Sequence, residues 1–336
     1  LALFKGQFFY MKNLYLLFLS LFLLPLVFPY FGALDVIAPQ WVFLGFYNLF
    51  LFIYFFKYRI LIPRSYIFYI FSFFIFQVII SLIYSNNLNV AIVDCSRFLI
   101  VFFTIYNIYN LLSKGNISFR QISFVISFFL FIEIVYSFIP FLTFIFENNF
   151  FVIRQFPSIY QENFFIGFTG NKNITAASIA IKLPFLFYLL LTSKRNIFVV
   201  FTSFISFFAF CLIFFLKARS VFLSFSFVLF LFFSASYFLK KYRFLFILPL
   251  VVLSFLFVSL LTTKESNPVL NDIKSINFSA ASSSDRFLLW DNAFSYILEH
   301  PFIGCGIGNW KIESLPYWNT HLSGYIVPYH AHNDFL

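Results

Sequence analysis

The sequence predicts an all-α protein that crosses a membrane about nine times. Of its 336 residues, 62% are hydrophobic and only 10% are charged, whereas a soluble domain carries about a quarter charged residues. Apolar runs of about 20 residues recur along the chain, which is the length that a helix needs to span a bilayer. These runs do not alternate with the period of two that is typical of β-barrel strands.

Nine spans can be drawn between the polar segments. They cover roughly 13–31, 38–56, 66–84, 89–112, 122–146, 174–192, 197–216, 220–239 and 244–262. The first run is long for a cleaved signal peptide and lacks a clear cleavage site, so we expect it to be a helix. The chain is therefore predicted to divide into a helical bundle, 1–262, and a polar region with short helices, 263–336.

The placement of Lys and Arg predicts the orientation in the membrane. The formal net charge is +10, but the basic residues lie in short loops between apolar runs, which is a topology signal rather than a nucleic-acid surface. Lys and Arg occupy the loops 57–64, 114–120, 194–195 and 240–243, and none occurs in 32–37 or 85–88. We therefore expect a multi-pass protein of the bacterial inner membrane with a cytoplasmic N-terminus and an external region 263–336.

Four charged residues lie inside the predicted spans. Asp94 and Arg97 have the spacing of an i,i+3 pair on one helix face. Glu133 and Lys182 have the opposite charges needed to pair across two helices. Because charges at membrane depth usually face a bundle interior or a wet cavity, these residues also leave open a route for a transported substrate.

Lys217 and Arg219 lie at a predicted outer turn, where the positive-inside rule disfavours cations. One interpretation is a pair of snorkelling side chains at the interface, and the other is an anion site that faces outward. The segment 167–173, rich in Gly and Asn, precedes a helix start with small residues, which gives a second and weaker anion-site signal.

A helix is predicted over 286–299, with Ser284 or Asp285 as its N-cap. Four apolar residues recur at helical spacing, which predicts packing on the membrane surface or on the bundle: Phe287, Trp290, Phe294 and Ile297. Arg286 falls in the predicted first turn, where the helix dipole disfavours a cation. An anionic ligand would explain a cation at this position.

The last part of the chain contains the glycines and histidines of interest. Gly304, Gly306 and Gly308 alternate, which favours a tight turn, because the βαβ unit of a dinucleotide-binding loop is missing. His330 and His332 leave three interpretations open: metal ligands completed by Asp334 or His321, structural histidines, or a general acid or base. Asn333 is a candidate for orienting the ring or the substrate.

Taken in order, these motifs resemble the O-antigen ligase and O-antigen polymerase superfamily. His330-Ala331-His332-Asn333-Asp334-Phe335-Leu336 is similar to the family's His-Asn signature, and the segment from Pro301 to Asn309 is similar to its Pro-x-x-Gly-x-Gly-x-Gly-Asn motif. Arg286 with Trp290 resembles its Arg-x-x-x-Trp helix, and Ala218-Arg219-Ser220 its Ser-Arg element. Gly170-Asn171 with Asn173 and Ala176 fits a weaker fifth segment.

The resemblance implies an enzyme that transfers a glycan from an undecaprenyl-pyrophosphate carrier. Arg219 and Arg286 would bind the pyrophosphate, His332 would be the general base, and the reaction would invert the anomeric carbon. Supporting roles at this site would fall to Lys217, His330 and Asn333. Neither a metal nor a cofactor is implied, since arginines would carry the phosphate charge. Two positions depart from the family pattern, because Ala218 replaces Ser and Lys172 replaces Pro.

The resemblance is compatible with more than one acceptor. A lipid A core, another lipid-linked glycan and a protein are all compatible with the resemblance. A transporter or flippase for lipid-linked glycans is the alternative from another class. The family's motif continues with a Gly-containing segment and further helices, and we expect these C-terminal helices to be missing from this chain.

Overall fold

In a computed structural model, the described residues are 2–28, 37–57, 61–148, 164–238, 247–261 and 281–318. They form helices and turns, and no strand occurs in these ranges. The α-helices are α1 (Ala2–Leu23), α2 (Ala38–Lys57), α3 (Tyr66–Ile80), α4 (Leu88–Gly115), α5 (Phe119–Asn148), α6 (Lys172–Thr192), α7 (Asn196–Leu216), α8 (Arg219–Phe238), α9 (Ile247–Leu261), α10 (Ala281–Glu299) and α11 (Trp310–Glu313). Short 3-10 helices lie at Leu24–Val27, Gly167–Thr169 and Leu315–Trp318.

The prediction of an all-α polytopic membrane protein is confirmed. Six of the described helices are long and apolar enough to cross a membrane, and three shorter apolar helices lie at Asn13–Val27, Tyr66–Ile80 and Ile247–Leu260. Each of the nine predicted runs therefore corresponds to a helix. The physical reason is that lipid offers no hydrogen-bond partners, so an apolar run must satisfy its backbone within its own helix.

The contacts group the chain into two units, and the first comprises Leu1–Phe43 and Leu111–Ile276. In this unit α6 packs against α5, α7 and α8, and α9 packs against α7. The core consists of fully buried apolar side chains on the facing helices, among them Leu183, Leu186 and Phe187 of α6 and Phe210 and Ile213 of α7. Helix α6 is therefore the centre of the unit.

The second unit comprises Leu44–Asn110 and Asn277–Leu336. Buried amides hold α2 against α4, because Asn107 donates to the side chain of Asn48 at 2.9 Å and Asn48 donates to Thr104 at 2.8 Å. The backbone amide of Leu61 donates to Asn110 at 2.9 Å, which fixes the segment before α3 on the end of α4. The division into a bundle and an external region stays a prediction.

Candidate functional site

The turn between α7 and α8 contains Lys217, Ala218 and the first residue of α8, Arg219. Lys217 has a φ of 52°, a left-handed conformation that residues other than Gly, Asn and Asp rarely adopt. The buried Ala218 accepts the amides of Val221 at 3.0 Å and Phe222 at 3.1 Å through its carbonyl oxygen. An alanine side chain has no acceptor for the other amides of the first helical turn. The turn between the seventh and eighth predicted spans is confirmed, while the side chain of Arg219 lies outside what the structure describes.

Helix α10 starts earlier than the sequence predicted. It begins at Ala281 instead of Arg286, because alanine and the serines that follow it can join the helix although they give no apolar periodicity. Arg286 is thus the sixth residue of α10, beyond the first turn in which the helix dipole acts. The prediction that the dipole disfavours this arginine was therefore wrong, and its role as an anion ligand depends on the family resemblance alone.

The apolar face predicted for α10 is not the face that the protein buries. Leu289, Ala293 and Tyr296 are buried, whereas Phe287 is 56% exposed and Phe294 is 54% exposed. Two apolar faces therefore exist, and periodicity alone selected the wrong one for packing on the bundle. The exposed face remains available to a membrane surface, as the other interpretation had it.

The three alternating glycines form a turn that only glycine accommodates without strain. Gly304, Gly306 and Gly308 have φ values of 64°, 72° and 74°, in the left-handed region. A Cβ on Gly306 would lie 2.6 Å from the hydroxyl oxygen of Ser85, and a Cβ on Gly308 would lie 2.7 Å from a carboxylate oxygen of Asp94. The predicted tight turn is confirmed, and two of its glycines also permit close approach to α4 and the turn before it.

Hydrogen bonds fix this glycine turn, residues 304–309, on the α3–α4 connection. The backbone amide of Asn87 donates to the side-chain oxygen of Asn309 at 2.8 Å, and the amide of Ile307 donates to the hydroxyl of Ser81 at 3.3 Å. Asn86 also donates to the carboxylate of Glu313. The glycine turn therefore lies at the same end of the second unit as the connection 85–88, which contains neither Lys nor Arg.

An aromatic cluster that the sequence analysis missed surrounds Tyr296. Its ring stacks on His300 at 4.4 Å between centroids and meets Trp310 edge-on at 5.8 Å. Burial, with smaller contributions from Cys305, Glu313 and Glu299, raises the pKa of Tyr296 to about 12. The pKa of Tyr317 also rises to about 12, mainly because it donates a hydrogen bond to Glu299.

Three buried polar atoms near this cluster have no hydrogen-bond partner within the described ranges. They are the side-chain nitrogen of Asn292, the indole nitrogen of Trp310 and the hydroxyl of Ser314. The two nitrogens are donors and the hydroxyl can both donate and accept, so all three atoms suit oxygen acceptors. Asn292 and Tyr296 lie one turn apart on α10, so the i,i+4 spacing of a polar and an aromatic residue was the signal that could have identified them.

The start of α6 is capped by its own side chains. Asn171 accepts the amides of Asn173 at 2.9 Å and Ile174 at 3.4 Å. The hydroxyl of Thr175 donates to the carbonyl of Ile166 at 2.6 Å. Because two amides of the first turn are already bonded to Asn171, the weaker anion-site signal at 167–173 gains no support.

The four charges at membrane depth form two pairs. The ammonium of Lys182 lies 2.7 Å from Glu133 between α6 and α5, and Arg97 lies 3.1 Å from Asp94 within α4. Both pairings follow the sequence prediction. Since each charge has a partner of opposite sign, these residues give the transporter alternative no support.

Comparison with known proteins identifies a family over the C-terminal part of the chain. The family model described as O-antigen ligase matches residues 204–336. In that region the chain is similar to the O-antigen ligase family. No curated protein and no solved structure matches the chain.

The matched region, residues 204–336, starts within α7 and includes the α7–α8 turn, α10 and the glycine turn. The four main motifs of the resemblance, at 218–220, 286–290, 301–309 and 330–336, all lie inside it, whereas the weaker fifth segment lies before it. Similarity to the O-antigen ligase family, with helices long and apolar enough to cross a membrane, supports a membrane enzyme that transfers glycans in O-antigen and lipopolysaccharide biosynthesis.

Three of the predicted site residues in the matched region lie outside the described residues: His330, His332 and Asn333. Arg219 and Arg286 belong to different units of the structure, so their predicted convergence remains a prediction. Among the described residues, no group of three His, Cys, Asp or Glu side chains could hold a metal ion. The metal interpretation of His330 and His332 remains untested, because both lie beyond residue 318.

Proposed function

We propose that this chain transfers a glycan from an undecaprenyl-pyrophosphate carrier to an acceptor hydroxyl at the outer face of the inner membrane. The family match over residues 204–336 carries the proposal, because it includes the candidate phosphate ligands and the candidate base. The acceptor hydroxyl belongs to a lipid A core or to a second glycan.

The phosphate site would start at the α7–α8 turn. Arg219 is the first residue of α8, so its cationic side chain starts at the positive end of the helix dipole. The residue before it is an alanine, which leaves amides of the first turn available to an anion. A guanidinium offers two parallel hydrogen bonds to a phosphate, and Arg286 would supply a second such group.

Bond changes in the proposed reaction balance without a metal. The acceptor hydroxyl attacks the anomeric carbon and passes its proton to His332, which is suited to this because imidazole accepts protons near neutral pH. The new glycosidic bond forms as the bond from the anomeric carbon to the pyrophosphate breaks. Undecaprenyl pyrophosphate leaves with the extra negative charge, which Arg219 and Arg286 would stabilise during the transition state.

The glycine turn would keep the external region in place for this reaction. Gly306, Gly308 and Asn309 attach the segment to the α3–α4 connection. Asn309 is itself part of the family's glycine motif, so a conformational requirement rather than substrate contact explains that motif here. Docking at a helix connection would limit how far α10 and the following residues move from the membrane surface.

Transfer measured with the purified full-length protein, a lipid-linked glycan donor and candidate acceptors tests the proposal. We expect His332→Ala to lower the transfer rate by about 10²–10⁴-fold, as loss of a general base does, with donor binding retained. His330→Ala should have a milder effect. His300→Ala is the matched control, because His300 is exposed and stacks on Tyr296 in the same region. Normal transfer by His332→Ala would refute the assignment of the base.

A second assay tests the arginines. Arg219→Ala and Arg286→Ala should each weaken binding of the pyrophosphate carrier itself, measured without acceptor. Arg219→Lys should recover part of the binding, because it keeps the charge and loses the bidentate geometry. If both alanine variants bind the carrier as the unmodified protein does, the phosphate-site assignment is wrong even if transfer fails.

A further inference from the structure

A cavity of about 230 Å³ opens in the first unit, away from the α7–α8 turn. It lies where α5 and α7 begin and α6 ends. Its walls combine apolar and polar side chains: Leu16, Arg120, Gln121, Phe124, Leu189, Ser193, Phe198 and Thr202. The proposed glycan chemistry uses none of these residues.

The cavity lies at the end of the unit where the basic loops cluster. The start of α5 meets the end of α6, because the ring of Phe119 packs edge-on against Tyr188 at 4.6 Å. A Cβ on Gly115, the last residue of α4, would lie 2.9 Å from the Cβ of Tyr15. These contacts bring the loops 114–120 and 194–195 to one end, which the positive-inside rule predicts to be cytoplasmic.

Most polar groups in the cavity wall are bonded within the protein. The hydroxyl of Thr202 donates to the carbonyl of Phe198 at 2.7 Å, and the side-chain oxygen of Gln121 accepts the amide of Ser118 at 3.1 Å. Arg120 differs, since it is exposed and forms no ion pair with any residue that the structure describes. Arg120 is therefore the wall residue that an anion would contact.

Charge at this end of the unit is one-sided. Arg120, Lys194 and Arg195 are exposed cations, and Lys194 and Arg195 directly follow the wall residue Ser193. The described carboxylates of this unit are Glu133, which pairs with Lys182, and Glu147, which lies up to about 40 Å further along α5 at a rise of about 1.5 Å per residue. The rim is therefore positive over the described ranges.

We propose that this cavity binds an anionic phospholipid from the leaflet on the basic side of the membrane. The end of one acyl chain enters between Phe124 and Phe198, and the headgroup phosphate contacts Arg120, with Lys194 and Arg195 adding to the attraction. The cavity is smaller than the roughly 300–1,000 Å³ of pockets that enclose a drug-sized ligand, so it holds part of a lipid and leaves the rest in the bilayer.

Two observations favour a lipid over a free anion. Leu16, Phe124, Leu189 and Phe198 give the cavity an apolar wall, which a free phosphate would not fill. Phe124 is also 53% exposed on a membrane-spanning helix, so the cavity is open to acyl chains from the side. Basic pockets between membrane helices on the cytoplasmic side commonly bind anionic headgroups.

Native mass spectrometry of the full chain, released from nanodiscs with equal amounts of phosphatidylcholine and phosphatidylglycerol, tests the proposal. We expect the unmodified protein to retain phosphatidylglycerol in preference. Arg120→Gln should lower that retention about tenfold, the effect of losing one charge-assisted contact. Arg64→Gln is the matched control, because Arg64 is an exposed cation of the α2–α3 connection outside the cavity, and it should retain the lipid normally.

A second variant tests the acyl chain. Leu16→Trp fills the cavity without changing the charge, and it should also reduce retention. Photolabelling tests the same point in the unmodified protein. Phosphatidylglycerol with a photoreactive acyl chain should label peptides from 120–124 or 189–202. Three results would overturn the proposal. Arg64→Gln could lower phosphatidylglycerol retention as much as Arg120→Gln does, or inorganic phosphate could displace the lipid as well as a competing lipid does. The third is photolabelling of peptides outside 120–124 and 189–202.

Discussion

Two polar contacts hold parts of this protein together by different physical means. In the first unit, Glu133 and Lys182 join α5 to α6 through a buried ion pair at 2.7 Å. In the second unit, the glycine turn is attached to the α3–α4 connection by amide hydrogen bonds and by the absence of side chains at Gly306 and Gly308. The first contact depends on charge in a medium of low dielectric constant, whereas the second depends on backbone conformation.

The difference shows where each contact is vulnerable. A buried ion pair tolerates replacement of both partners but not of one, because a single buried charge is costly. The glycine turn tolerates changes of charge nearby but not an added methyl group, because space and a positive φ are required together. Substitutions can therefore separate the two mechanisms.

Breaking the ion pair should produce the largest effect. Lys182→Met leaves Glu133 buried without its partner, and we expect it to destabilise the protein by about 3–5 kcal/mol. The free energy of unfolding in a denaturing-detergent titration measures this loss. The double variant Lys182→Met with Glu133→Gln should recover most of the stability. If the double variant is as unstable as the single one, the pair does not act through charge.

An added methyl group in the glycine turn should have the next largest effect. Gly306→Ala combines a strained backbone with a contact at 2.6 Å to Ser85, and it should cost about 2–4 kcal/mol. Gly304→Ala is the matched control, since Gly304 has a similar φ but nothing within 4 Å of an added Cβ. Gly304→Ala should lower the free energy of unfolding by only about 1–2 kcal/mol, which is the cost of a left-handed backbone for alanine. Equal shifts of the unfolding midpoint in both variants would contradict close packing at Gly306.

The reactivity of Cys305 reports the docking of the turn without a substitution in the turn itself. Burial is the main cause that raises the pKa of this thiol, and Glu313 adds to it. A raised pKa means that the folded state holds the proton more tightly, so the associated stability is present below the ordinary pKa and is lost as pH rises through the folded value. Because the thiolate is the reactive form, alkylation should be slower than for a free thiol near pH 8 and should continue to accelerate above pH 9.

The alkylation rate is best measured in a Cys95→Ser, Cys211→Ser background, which leaves Cys305 as the single thiol. Gly306→Ala should increase the rate near pH 8 if the turn loosens. A rate that already equals that of a free thiol in the unmodified turn would contradict its half-buried environment.

The second ion pair should produce the smallest effect. Asp94 and Arg97 are 26% and 32% exposed and lie on one helix face, so Arg97→Gln should change the unfolding free energy by less than about 1 kcal/mol. A loss as large as that of Lys182→Met would mean that exposure does not distinguish the two pairs.

Much of the fold could be predicted because lipid imposes strong rules on sequence. Apolar runs must be helices, and charges at membrane depth must find partners, which is why the nine runs and the Glu133–Lys182 and Asp94–Arg97 pairs agree with the structure. The glycine spacing also predicted the tight turn, because few residues other than glycine adopt a positive φ without strain.

The rest depends on information that local sequence does not contain. The partners of the glycine turn, Ser81 to Asn87, lie more than 200 residues earlier, and no periodicity links them. The start of α10 at Ala281 was missed because Ala and Ser residues give no apolar signal, and its buried face was missed because both faces are apolar. The roles of Arg219, Arg286 and His332 depend on the family, since composition cannot identify a substrate.

The docked glycine turn also restricts how many times the chain crosses the membrane. The α3–α4 connection and the glycine turn are in contact, so both lie on one side, and the number of crossings between them must be even. Five long apolar helices, α4 to α8, lie between the two segments, and five is odd. With α10 outside the membrane, as the sequence predicts, we expect α9 to cross as well. Its 15 described residues extend only about 22 Å, less than the roughly 30 Å of a typical hydrocarbon core. A crossing by so short a helix predicts a local thinning of the bilayer beside α9.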